Sequence, residues 1–197
     1  AAPLVAVDPH YECPDYHSVS STNRDGAISA VSYLLALGHR RIGFIGGRSD
    51  LQSSASRQMG YQESLVKAGI AIDPKLIVQG NYTLGVGRDC ALRLLQLPEP
   101  PTAIFAANDQ SALGIYQAAQ QSGLRIPDDL SVVGFDDIPE AATAVPGLTT
   151  IDQAIEKMGY TATQILIQLI DGESVENTLY KIQTQLVIRD SCCAPHS

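Results

Sequence analysis

Short unbroken apolar runs alternate with stretches of helical period along most of this chain, and that alternation restricts its fold more than any other feature. Ile42–Ile45 is stopped by Gly46-Gly47, residues 102–106 run into Asn108-Asp109, and residues 130–135 run into Asp136-Asp137. A strand that is apolar at every position is buried on both faces, which points to a parallel sheet covered by helices on both sides. The intervening segments supply those helices. Residues 26–37, after Asn23, carry Ala27, Val31, Leu34 and Leu35 at helical spacing; Gly38 ends the segment and His39-Arg40-Arg41 lies at its negative end. Ser53 and Ser54 offer N-caps for a helix through Leu65, closed by Ala68-Gly69. Residues 87–97 and 110–121 are two more helices, ended by Pro98 and Gly123, and residues 153–170 are the longest, ended by Asp171-Gly172. Residues 4–7, 74–78, 148–151 and 180–188 complete the strands, the last alternating and more exposed, while residues 15–21 read as a polar connector.

In an open parallel sheet the ligand crevice lies beyond the carboxyl ends of the strands. Those ends, in order, are Asp8, Gly46-Gly47, Tyr82, Asn108-Asp109 and Asp136-Asp137. The set Asp8, Arg57, Tyr82, Asn108 and Asp136 has a coherent chemistry. Carboxylates, an amide and a guanidinium make paired hydrogen bonds to neighbouring hydroxyls, and a ring covers an apolar ligand face. Arg57 opposes the dipole in the first turn of its helix, which favours a functional role. Asn108 either caps its helix or binds ligand, and Tyr82 either packs a turn or stacks on ligand. Asp136 ends a buried strand and needs a partner.

Several function classes are disfavoured. With 13 Lys and Arg against 21 Asp and Glu, net charge −8, the surface repels phosphate backbones, so the chain alone is not expected to bind DNA or anionic lipid. A hydrophobic share of 45% against 17% charged residues excludes a disordered tail. No apolar run approaches the roughly 20 residues of a membrane span, and the first residues lack the basic start of a signal peptide. Cys13, Cys90, Cys192 and Cys193 form no C-x-x-C pair and the four histidines are scattered, so no metal is expected, and the thiols suit a reducing, cytoplasmic compartment. The loop after Gly47 lacks the P-loop signature, Gly85-Val86-Gly87 is only a fragment of a dinucleotide motif, and no nucleophile elbow occurs. No cofactor and no enzymatic activity are expected. A hydrolase would rest on Asp128-Asp129 and Asp136-Asp137, which serve equally as turn and helix-start residues.

LLALGHRRIGFIGG (34–47), SSASRQMGYQESL (53–65), the long run 100–138 and PGLTTIDQAIEKMGYTA (146–162) together resemble the effector-binding core of LacI/GalR-type transcriptional regulators. The resemblance covers roughly residues 5–190 and implies a periplasmic-binding-protein-like, doubly wound parallel sheet: one nearly complete subdomain plus part of a second. It implies that 1–22 is a remnant of the N-terminal subdomain, 23–147 the C-terminal subdomain, 148–172 a return to the first, and 178–197 the final strand of the C-terminal subdomain and a tail. Crossings are expected near residues 22–23, 148–149 and 172–177. No helix-turn-helix headpiece motif occurs, so the chain is expected to be a fragment that meets operator DNA only through a headpiece it lacks. The family's effector contacts fall on Asp8, Ser53, Arg57, Tyr82, Asn108 and Asp136. Purine-responsive members place an arginine just before the serine contact, where this chain has Leu51-Gln52, so a sugar or small polyol is the expected effector. Two acids around one arginine also suit a neutral ligand. The resemblance further implies a homodimer, with helix 112–119 a candidate surface, and a non-enzymatic repressor; a periplasmic sugar-binding protein of a transporter is the alternative.

Overall fold

The computed structural model describes residues 2–11, 13–176 and 178–196. In chain order the elements are β1 (Val5–Val7), β2 (His17–Ser21), α1 (Asn23–Ala36), β3 (Ile42–Ile45), α2 (Gln52–Lys67), a 3-10 turn (Pro74–Leu76), β4 (Ile77–Val78), α3 (Leu84–Leu95) and β5 (Ala103–Ala106). There follow α4 (Asp109–Gln121), β6 (Ser131–Val133), α5 (Pro139–Thr143), β7 (Thr150–Asp152), α6 (Ile155–Ile170), β8 (Leu179–Ile182) and β9 (Gln185–Val187).

The larger sheet is parallel, in the order β4-β3-β5-β6. Its three longer strands are buried at every residue, as their uninterrupted apolar runs require. Successive side chains point to opposite faces. Phe44, Phe105 and Val133 therefore meet Val31, Leu34, Tyr61 and Leu65 of α1 and α2, while Ile45, Ile104 and Val132 meet Leu94 and Ile115 of α3 and α4. The α3 and α4 backbones cross so closely at Gly114 that a Cβ there would overlap the Leu84 carbonyl. The smaller parallel sheet, β1-β2-β8, is covered by α6 through Val19, Met158, Ala162, Ile165 and Ile182. Strands β7 and β9 pair antiparallel, and single bridges join Val133 to Thr149 and Asp136 to Asp152. Among the described residues no helix is long and apolar enough to cross a membrane.

Several expectations are corrected. Residues 15–21 are no mere connector: His17–Ser21 is the central strand of the smaller sheet, with Ser18, Val19, Ser20 and Ser21 buried. One valine among serines carries almost no hydropathy signal, so pairing on both sides makes this strand. Residues 180–188 are two strands in different sheets: β8 pairs with β2 and β9 with β7. The span 178–197 therefore does not lie wholly with the larger sheet. The segment after α6 stays beside β2, so the crossings between sheets fall at 21–23, 152–154 and 182–185 rather than at 148–149 and 172–177. Asn177, the end of that last expected crossing, lies outside the described residues. Ser53 and Ser54 do not cap α2, which begins at Gln52; the Ser54 hydroxyl instead accepts from the Gly47 N–H at 3.1 Å. His39 is fully buried rather than a helix-end charge, bonding Thr102, Ser131 and the Cys193 carbonyl at 2.9–3.1 Å. Burial lowers its pKa, so the neutral ring is favoured.

Candidate functional site

Parallel strands all deliver their carboxyl ends to one edge, and α2 lays Arg57 across that edge. The Arg57 side chain is 4% exposed, with its guanidinium carbon 3.7 Å from the Phe135 ring centroid. Its Nε donates to Asn23 Oδ1 at 2.8 Å, its Nη1 to the Ala107 carbonyl and to Asp136 Oδ1 (3.3 Å), and its Nη2 to Gln153 Oε1 at 3.3 Å. Asp136 follows β6 with φ 119, and its N–H is anchored on the Ile151 carbonyl at 2.8 Å. Burial pushes the Asp136 carboxyl up to about 6; Arg57 opposes the shift and the Asp8 charge adds to it. Asp8 follows β1 at φ 43, with its N–H on the Val19 carbonyl at 2.9 Å. With Ser53 it lines a polar cavity of about 210 Å³, shared with Ser20, Asn23, Gln52 and Lys181.

Tyr82 sits at φ 71 with its ring over Gly47, where a Cβ would overlap the ring. The guanidinium lies 6.0 Å from that ring, and the buried Tyr82 hydroxyl makes no hydrogen bond. Asn108 is a helix cap: its Oδ1 accepts from the Ser111 N–H at 3.0 Å. Its Nδ2 also donates to the Tyr82 carbonyl at 3.1 Å, holding that residue in place. The expected residues thus divide. Arg57 and Asp136 are paired, Tyr82 stands beside them with Asn108 behind it, and Asp8 and Ser53 line the adjoining cavity.

Sequence reasoning missed Asn23, Phe135 and Gln153. Gln153 was legible by the strand-end rule, because it follows β7 as Asp8 follows β1; a helix assignment from 153 hid it. The weight on Asp109 was also missed. This carboxylate is 0% exposed and accepts from the Thr150 hydroxyl and from the Ile138 N–H at 3.0 Å, binding α4 to β7 and to the loop after Asp136. Burial pushes its carboxyl up to about 7, against those two hydrogen bonds. Between about pH 4 and 7 the folded chain keeps a proton that the unfolded chain releases. Stability should therefore fall as pH rises through that window, by up to about 1.4 kcal/mol per pH unit. Asp109→Asn is expected to shrink that slope in urea unfolding from pH 4 to 8; an unchanged slope would show that Asp109 does not titrate there.

Two parallel sheets linked by three chain segments, with strand-end polar groups collected beside those segments, fit one class: a periplasmic-binding-protein-like core. The family described as a periplasmic binding protein-like domain matches residues 31–192. The HTH-type transcriptional repressor CytR of Escherichia coli (strain K12) is 37% identical over 183 residues, 93% of this chain and 53% of the relative. The probable HTH-type transcriptional repressor ExuR of Bacillus subtilis (strain 168) is 35% identical over 189 residues, 96% of this chain and 57% of the relative. A regulatory protein of the LacI family from Chloroflexus aggregans shares the fold at TM-score 0.89 and 34% identity, covering 96% of this chain and 68% of that one. A CelR–cellobiose complex matches at TM-score 0.88 and 29% identity, covering 96% and 65%. The chain belongs to the LacI/GalR family of transcriptional regulators, through its periplasmic-binding-protein-like core. It spans about half the length of the curated relatives it matches.

Proposed function

We propose that this chain is the effector-binding core of a LacI/GalR-type transcriptional repressor and that its effector is a small uncharged polyol, a sugar in the first instance. The observation that carries this is the Arg57–Asp136 pair, buried at the strand ends with Asp8 near enough to press on the Asp136 carboxyl. One guanidinium paired with an acid, with a second acid lining the adjoining cavity, offers donors and acceptors near one another, the pattern that adjacent hydroxyls satisfy. Tyr82 supplies a ring beside them, and its hydroxyl, buried without a partner, gains one if the side chain turns toward a ligand. The complex of a similar regulator with cellobiose supports a sugar.

The lobes of this reading are β1, β2, β8 and α6 on one side and the four-stranded sheet with α1–α4 on the other. A ligand held by Asp8 from the first lobe and by Arg57, Tyr82 and Asp136 from the second favours one lobe orientation. Its leverage equals its differential affinity for the two orientations. In a homodimer bearing helix-turn-helix headpieces, that orientation sets how the pair sits on a two-fold operator. Asn108 acts here by fixing Tyr82, and Ser53 contributes a hydroxyl to the cavity.

The test is thermal unfolding of the full-length protein with glucose, galactose, ribose, cellobiose and, separately, cytidine. A sugar should raise Tm progressively with concentration through mass action. A shift with cytidine alone, or with none of the five, would overturn the sugar assignment. Tyr82→Phe removes a buried, unbonded hydroxyl, so its ligand-free stability should be unchanged or higher by about 1 kcal/mol. Its sugar-induced shift should fall.

A further inference from the structure

Three chain segments cross between the lobes, at 21–23, 152–154 and 182–185. In the middle of the second, Gln153 reaches back into the site. Its Oε1 accepts from Arg57 Nη2 at 3.3 Å and from the Ser21 hydroxyl at 3.4 Å, and its Nε2 donates to Asp136 Oδ1 at 2.9 Å. One amide therefore touches both charges of the Arg57–Asp136 pair and the end of β2 in the other lobe. The turn presenting it is firmly built. Asp152 Oδ1 accepts from the Ala154 N–H at 2.6 Å, and Ala154 is left-handed at φ 55. That conformation costs a Cβ-bearing residue about 1 kcal/mol and persists only where its surroundings impose it.

The other crossings connect to the same guanidinium. Asn23, in the first, accepts from Arg57 Nε at 2.8 Å. The third is tied to the first by the Thr22 and Thr184 hydroxyls, 3.0 Å apart, and by the Thr184 N–H donated to Thr22 Oγ1 at 3.0 Å. Arg57 thus reaches two crossings directly, and the third through the first.

We propose that Gln153 is a positioning residue that couples occupancy of the Arg57–Asp136 pair to the angle between the lobes. The inference rests on reading that pair as the effector site. A hydroxyl that accepts a hydrogen bond from Arg57 Nη2, or donates one to Asp136 Oδ1, must share or displace a bond of Gln153. Because the same amide holds Ser21, any shift at the site reaches β2 without passing through the packed cores. A residue that merely satisfied two buried charges would affect stability near the site and nothing in the other crossings.

Hydrogen–deuterium exchange on the full-length protein separates the two roles. In Gln153→Ala without sugar, segments 17–24 and 180–188 should exchange at least about 5-fold faster, the lower end of usual coupling strengths. Gln153→Glu keeps acceptors for both Arg57 and Ser21, and at pH 5, where Asp136 holds a proton to donate in place of the lost amide bond, segment 17–24 should stay within about 2-fold of wild type. Faster exchange confined to 150–156 in Gln153→Ala would overturn the proposal, as would the same acceleration of 17–24 in both variants. Glucose, galactose, ribose and cellobiose are then added. A sugar that stabilises wild type should protect 17–24 and 180–188 in wild type but only the segment around Arg57 in Gln153→Ala; equal protection of the crossings in both would overturn the coupling. If none of the four stabilises wild type, the effector reading fails, while the sugar-free exchange still decides the linkage.

Discussion

Arg57→Ala is expected to lose the sugar response altogether and to destabilise the fold by about 3–5 kcal/mol, the range for removing one partner of a buried ion pair. The guanidinium supplies donors to Asn23, Ala107, Asp136 and Gln153 at once, and with the side chain 4% exposed water does not readily replace them. Without it, Asp136 keeps its burial and loses the charge that holds its carboxyl down, so its pKa climbs further above about 6. The sign of the pH dependence follows. Below about pH 5 Asp136 is neutral in either protein and the deficit is smallest; it grows as pH rises to 8, where the variant must bury an unpaired carboxylate or hold its proton against solvent. Urea unfolding at both pH values measures this. A deficit independent of pH would show that Asp136 does not depend on Arg57. Replacing both partners, Arg57→Met with Asp136→Asn, should remove the growth of the deficit with pH while leaving the sugar response absent. That outcome separates the folding role of the pair from its binding role.

Phe105→Ala should cost a comparable amount, about 3–5 kcal/mol, for a different reason. Phe105 is 0% exposed in β5, between β3 and β6, and its ring lies 5.5 Å from that of Phe44, which stacks on Tyr61 at 5.0 Å. Tyr61 in turn donates its hydroxyl proton to the Ile42 carbonyl at 2.8 Å. Deleting the ring opens a void that close-packed neighbours fill only in part. The effect should reach the site, because β5 leads into the Ala107 carbonyl that accepts from Arg57 and into Asn108, which holds Tyr82. Phe105→Leu should lose much less, and a denaturant midpoint equal to that of the alanine variant would show that cavity volume is not the cause. In the alanine variant a sugar should bind more weakly even where the chain remains folded.

The larger sheet and its helices were legible because their signals are local. IGFI and AIFA are apolar throughout, glycines follow the helices, and each strand end carries its own polar residue. The smaller sheet was not legible. HSVSS has one apolar residue, and what makes it a strand is β1 on one side and β8 from about 160 residues later on the other. The same distance effect split residues 180–188, whose alternation looks alike whether its strand partner is β2 or β7. At the candidate site, Asp8, Tyr82, Asn108 and Asp136 were expected from residue type and strand-end position and Arg57 from its charge near a helix start, and the structure pairs Arg57 with Asp136. The bond from Asn108 to the Tyr82 carbonyl, the orphaned Tyr82 hydroxyl and the three-way contact of Gln153 were not.

By itself the amino-acid sequence determined a parallel α/β core, the identity of the polar groups at its strand ends, and an acidic surface. Period and composition act over a few residues, and the hydrophobic effect translates them directly into buried faces. Only the tertiary structure decided which of those groups share a hydrogen bond, that the segments linking the two parallel sheets meet Arg57, and that Gln153 bonds both Arg57 and Ser21. Such contacts join residues 17–132 positions apart in the chain, and their geometry comes from packing, which no local pattern encodes.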